Sequence, residues 1–148
     1  MSSNLAPTDK AILSVLQVDA SQSLDSIAER LGVSLNTVWR RVRRLEEERI
    51  LERRDALIDN EKTGLPLTAF VQIRTDEHSA DWSKRLAQTV DRIPEIVEFY
   101  RLAGDVDYIL KIMIASVADY DRVYQQLISE VRISDVSASF AMEKLKFT

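Results

Sequence analysis

Apolar residues recur three and four positions apart through the first third of the chain, and each run is framed by residues that start or stop helices. Three short helices are predicted there. Thr8 is the expected cap of the first, with Ile12, Leu13 and Leu16 turned inward. Ser23 caps the second, whose buried face is Ile27, Ala28 and Leu31, and Gly32 supplies the left-handed residue that ends it. Ser34 then caps a third helix, along which Leu35, Val38, Val42 and Leu45 form one continuous apolar stripe. A short helix, a tight glycine turn and a second helix with a basic outer face make a helix-turn-helix.

Beyond it, Ile50 to Ile58 reads as extended, and Asn60 to Pro66, with Gly64 and Pro66, as the hinge into a second domain. From Leu67 the period alternates between strand and helix. Leu67 to Arg74 is a predicted strand, Asp81 to Ile93 a helix, Ile96 to Ala103 and Val106 to Ala115 strands, Ala118 to Val131 a helix, and Val136 to Phe147 a last strand. The order β-α-β-β-α-β is that of a ferredoxin-like unit, an antiparallel sheet with both helices on one face. The predicted fold class is therefore α+β, with a DNA-binding domain in residues 1–54, a hinge strand and linker in 55–66, and a ferredoxin-like domain in 67–148. Along Val106 to Ile114, Val106, Tyr108, Leu110, Ile112 and Ile114 take one face and Ile109 and Met113 the other. Neither face is wholly polar, so the face without helices calls for a second sheet from another copy of the chain.

Composition narrows the chemistry. The chain has 148 residues, 45% of them hydrophobic, no cysteine and one histidine, His78. Disulfides, thiolate nucleophiles and His-rich metal clusters are thereby removed, and neither a metal nor a cofactor is expected. No membrane-length apolar run and no signal-peptide layout is present, which points to the cytoplasm. A formal charge of -4 argues against a nucleic-acid partner when taken globally. Locally the balance reverses: seven arginines (40, 41, 43, 44, 49, 53, 54) stand against four glutamates (46, 47, 48, 52) between Asn36 and Arg54. The local field is what a phosphate meets.

On a helical wheel Asn36, Thr37, Arg40 and Arg44 lie opposite the apolar arc. Asn36, Thr37 and Arg40, near the Ser34 cap, suit base edges of double-stranded DNA in the major groove, while Arg41, Arg43 and Arg44 suit phosphates. The plainer alternative is a solvated charged face balanced by Glu46, Glu47 and Glu48. Trp39, at the edge of the arc, can pack or stack on a base. In the second domain, Gly104-Asp105-Val106-Asp107-Tyr108 joins two strands through a short turn that brings two carboxylates and a tyrosine to one end of the sheet. Acid-base catalysis lacks a partner base there, so no catalytic residue is named. Ordinary turn chemistry is one reading, and capture of an amino acid's ammonium by a carboxylate and of its carboxylate by turn amides is another.

Taken in order, Leu31-Gly32-Val33-Ser34, Arg41-Val42-Arg43-Arg44-Leu45-Glu46, Gly104-Asp105-Val106-Asp107-Tyr108 and Met142-Glu143 resemble the Lrp/AsnC family of leucine- and asparagine-responsive transcription regulators. The resemblance implies a winged helix-turn-helix, a hinge strand, dimers made by sheet packing and assemblies of dimers up to octamers. It also implies an amino-acid effector bound between dimers, with Gly104, Asp105, Asp107 and Tyr108 as its contacts. The Val136 to Glu143 strand looks like a branch associated with cysteine metabolism. Relatives often carry proline where this chain has Leu35 and Thr37, so base preference is not transferable. A ferredoxin-like module regulating a metabolic enzyme, and a pure assembly scaffold, are the rival readings; retention on DNA separates them from a regulator.

Overall fold

Pro7 opens the first helix, α1 (Pro7–Val18), because its fixed φ suits the first helical position and its missing N–H has no helical partner to lose. The N-cap is Ala6 and not Thr8. Asp9, in the first turn, accepts the Ala6 N–H at 3.0 Å and does the work expected of a capping side chain. Ser23 caps α2 (Leu24–Leu31) and Gly32, at φ 65°, ends it; Ser34 caps α3 (Leu35–Glu47). All three follow the sequence signals. The computed structural model describes residues 5–146.

The three helices bury Ile12, Val15, Leu16, Ile27, Ala28, Val38, Val42 and Leu45, with Leu13 and Leu31 half-buried at the margin. Leu35, predicted to share that core, is 45% exposed. It sits in the first turn of α3, and burial along that helix begins only at Val38. The Ile50 to Ile58 segment pairs with no strand among the described residues; its first two N–H groups, of Ile50 and Leu51, instead close the end of α3 on Leu45 O at 2.9 and 3.0 Å. The chain divides into two compact units at Leu57 and Ile58. Asn60 to Gly64 form a closed turn, with Leu65 N–H on Asn60 O at 2.8 Å.

The second unit is β1 (Leu67–Arg74), α4 (Ala80–Asp91), β2 (Ile96–Arg101), β3 (Tyr108–Ile114), α5 (Val117–Glu130) and β4 (Asp135–Phe140). The sheet order is β2-β3-β1-β4 with antiparallel neighbours throughout, the ferredoxin-like arrangement. Three predicted strands shorten. β2 ends at Arg101, β3 starts at Tyr108, and β4 ends at Phe140, since the residues between them turn or run free of the ladder; predicted Phe147 lies outside the described residues. Trp82, Leu86, Val90, Val123 and Leu127 from the helices pack on Ala69, Val71, Ile73, Leu110, Ile112 and Ile114 from the sheet. Trp82 also donates its indole N–H to Arg132 O at 2.8 Å, tying α4 to the segment before β4.

Alternation puts Thr68, Phe70 and Gln72 of β1 on the other sheet face, beside Met113, Lys111 and Ile109 of β3 and Ser139 and Ser137 of β4. Tyr100 and Glu98 join that face from β2. Phe70 is 40% and Tyr100 54% exposed there.

Candidate DNA interface and effector turn

The outer side of α3 begins at its cap. Ser34 Oγ accepts the Thr37 N–H at 3.2 Å and shares a 2.8 Å hydrogen bond with the Thr37 hydroxyl, so both hydroxyls are engaged in holding the helix start. Asn36 and Arg40 are exposed, and among the described residues Arg40 has no ion pair or hydrogen bond. The other arginines of α3, Arg41, Arg43 and Arg44, are engaged. Arg43 pairs with Glu47 at 3.0 Å and lies 5.3 Å from the ring centre of Trp39, which is 48% exposed and so available at the surface rather than packed inside.

Arg41 and Arg44 both reach Asp9. Arg41 Nη1 donates to Oδ1 at 3.0 Å and Arg44 Nη2 to Oδ2 at 2.6 Å, and the carboxylate is fully buried. Burial pushes its pKa up, but the Arg41 hydrogen bond, the Ala6 N–H and the charges of Arg44 and Arg41 together hold it below the ordinary aspartate value. Asp9 is not among the residues that the helix-turn-helix pattern singles out. Its signal was there, since Asp9, Ile12 and Leu16 fall three and four apart on one stripe, and a carboxylate on an apolar stripe requires a cation.

At the end of the sheet, Gly104 takes φ 139°, a value that favours glycine, and Asp105 is exposed. The N–H groups of Gly104, Asp105 and Val106 have no acceptor among the described residues. Asp107 Oδ2 accepts the buried Thr75 N–H at 2.8 Å, while Oδ1 lies 4.0 Å from His78 Nδ1. Arg74 Nε donates to Asp105 O at 3.0 Å and its Nη1 to Asp135 at 2.7 Å, which braces the turn against β4. Tyr108 departs from expectation. It is 6% exposed, lies between Trp82 and Phe99 with centroids at 5.8 and 5.4 Å, and hydrogen-bonds Ser83 through its hydroxyl. Strand alternation turns it into the core, so it supports the turn from beneath.

Residues 68–148 match the Lrp/AsnC ligand binding domain and residues 5–52 a winged helix-turn-helix DNA-binding domain. The chain belongs to the Lrp/AsnC family. It is 49% identical to the glutamate uptake regulatory protein of Zymomonas mobilis, over 93% of this chain and 84% of that one. It is 42% identical to the DNA-binding transcriptional activator DecR of Escherichia coli K12, over 95% of this chain and 93% of the relative. The structure superposes on an AsnC family transcriptional regulator from Agrobacterium tumefaciens with a TM-score of 0.90 at 42% identity, covering 97% and 94% of the two chains. A Neisseria meningitidis regulator solved as its L-Met complex gives a TM-score of 0.90 at 28% identity with the same coverage. This Lrp/AsnC member is thus a DNA-binding transcription regulator with a small-molecule-binding domain. No helix among its described residues is long and apolar enough to cross a membrane.

Proposed function

We propose that the chain binds specific DNA sites as a homodimer or an assembly of dimers, in the cytoplasm, and changes its hold on DNA when a free amino acid occupies the Gly104 to Asp107 turn. The observation that carries the DNA half is the capped α3 with Asn36 and Arg40 exposed and Arg40 uncommitted, since an amide and a guanidinium match base edges in the major groove. Ser34 holds the helix start, Thr37 shares that cap and joins Asn36 and Arg40 toward base edges, and Arg41, Arg43 and Arg44 supply the phosphate contacts.

For the effector, three unspent turn amides suit a carboxylate and Asp105 or Asp107 suits an ammonium. The relatives named for glutamate uptake and for an L-Met complex support the amino-acid class. The half-exposed Phe70 and Tyr100 on the helix-free sheet face favour a second sheet across them, and a two-fold dimer implies a pseudo-palindromic operator with half-sites about one helical turn, or a multiple, apart.

The test is to sequence the genomic fragments that the purified protein retains, with and without an amino-acid pool. Enrichment of a pseudo-palindrome whose retention changes with the pool is the expected result. No enrichment over random fragments would leave the enzyme-regulating module as the better reading.

A further inference from the structure

The deepest polar group of the DNA-binding unit is Asp9, a fully buried carboxylate on α1 separated from its partners on α3 by 32 and 35 positions in the chain. A lone ion pair between helices would serve to hold them together. Here two guanidinium groups from adjacent turns of α3 converge on one carboxylate, and Arg40 completes, among the described residues, the lining of a shallow cleft of about 300 Å³ with Arg41 and Arg44. Glu48 Oε1 also lies 3.8 Å from Arg44 Nε, so three cations and two anions leave a local excess of one positive charge. Arg44 stays 46% exposed and Arg41, whose Nε is buried without a hydrogen-bond partner among the described residues, 27%, so both still line the cleft while bound to Asp9. An arginine side chain free to rotate loses much conformational freedom on gripping a ligand; one already clamped loses little.

We propose that Asp9 is a positioning residue of the DNA interface: it clamps Arg41 and Arg44 so that, with Arg40, they form a preformed seat for one backbone phosphate. The inference rests on the reading of α3 as the DNA-contacting helix. It differs from that reading in naming a residue that touches no DNA and is nonetheless required for the arginines to act together. Arg40 stands outside the clamp and depends on it least.

The probe is a random-sequence duplex, because a phosphate seat carries no sequence information. Binding is measured across a salt series for wild type, Arg44→Ala, Asp9→Asn and the double variant, each checked for folding by its melting curve. Arg44→Ala is expected to weaken wild type about 10-fold and to reduce the slope of log affinity against log salt by about one. In the Asp9→Asn background the same substitution is expected to cost about 2-fold or less, the signature of coupling. Equal losses in both backgrounds, or no loss in wild type, would overturn the proposal while leaving DNA binding intact. Wild type with no salt-sensitive binding at all would instead remove the reading of α3 beneath it. Should Asp9→Asn fail to fold, lysine substitutions decide. A lysine keeps the charge but lacks the planar fork that holds two anions in fixed geometry, so Arg44→Lys is expected to lose at least about 3-fold and Arg40→Lys about 2-fold or less. Equal affinity for those two variants would refute the clamp.

Discussion

Replacing Asp107 by asparagine and by alanine separates two tasks that one carboxylate performs at the effector turn. Its Oδ2 accepts the Thr75 N–H at 2.8 Å, and Thr75 is 8% exposed, so alanine leaves a buried donor without an acceptor. Such a loss costs about 1–3 kcal/mol. For a unit of this size a cost of about 2 kcal/mol corresponds to a melting shift of roughly 8–16 °C. Asparagine retains a carbonyl oxygen for the same N–H and gives up only the charge, a difference of about 1 kcal/mol between a charged and a neutral acceptor. If the carboxylate also takes the effector's ammonium, either variant loses a charge-assisted hydrogen bond of about 1.5–3 kcal/mol, roughly a 10- to 150-fold loss of affinity. Titration calorimetry with the twenty amino acids, run beside thermal melts, reads both quantities. The expected pattern is that asparagine melts about 4–8 °C below wild type and binds at least 10-fold more weakly, and that alanine melts lower still and binds as weakly. Asparagine binding as tightly as wild type would refute the ammonium contact, and alanine melting with asparagine would refute the Thr75 argument. Absence of binding by wild type to any amino acid would refute the effector class.

Asp9, whose carboxyl sits below the ordinary aspartate value in the folded chain, adds stability that is complete above that ordinary value and is lost as pH falls through the lower folded one. Acid titration of the helical unit should therefore show a loss in that range that Asp9→Asn lacks; identical acid profiles would contradict it. Trp82→Phe removes the indole N–H from Arg132 O in a fully buried site and should cost about 1–3 kcal/mol in urea unfolding while preserving the fold. Phe70→Glu puts a charge on the helix-free sheet face between Lys111 and Ser139 and should make the protein sediment as a monomer at micromolar concentration; an unchanged dimer would place the interface elsewhere.

The parts of this protein legible in its sequence are those decided within a few residues. Ser23 and Ser34 cap because their hydroxyls reach N–H groups three positions on, and Gly32 ends α2 because it tolerates φ 65°. The strand and helix order from Leu67 follows from two periodicities that need no knowledge of neighbours, and β1 keeps its predicted bounds. Tertiary structure decided everything that depends on contacts far apart in the chain. The first helix starts at Pro7 because Asp9 caps it while also holding Arg41 and Arg44 across to α3. Leu35 is exposed because helix contacts begin at Val38, and a helical wheel shows which side a residue faces but not whether anything lies opposite. Tyr108 was grouped with the turn beside it in sequence, yet the pairing of β3 between β1 and β2 turns it inward onto Trp82 and Phe99. The carboxylate of Asp107 is bound to a backbone N–H 32 positions away, a partner that only the closed sheet brings within reach. A side chain's type sets what chemistry it can do, and the fold sets which partner it meets first.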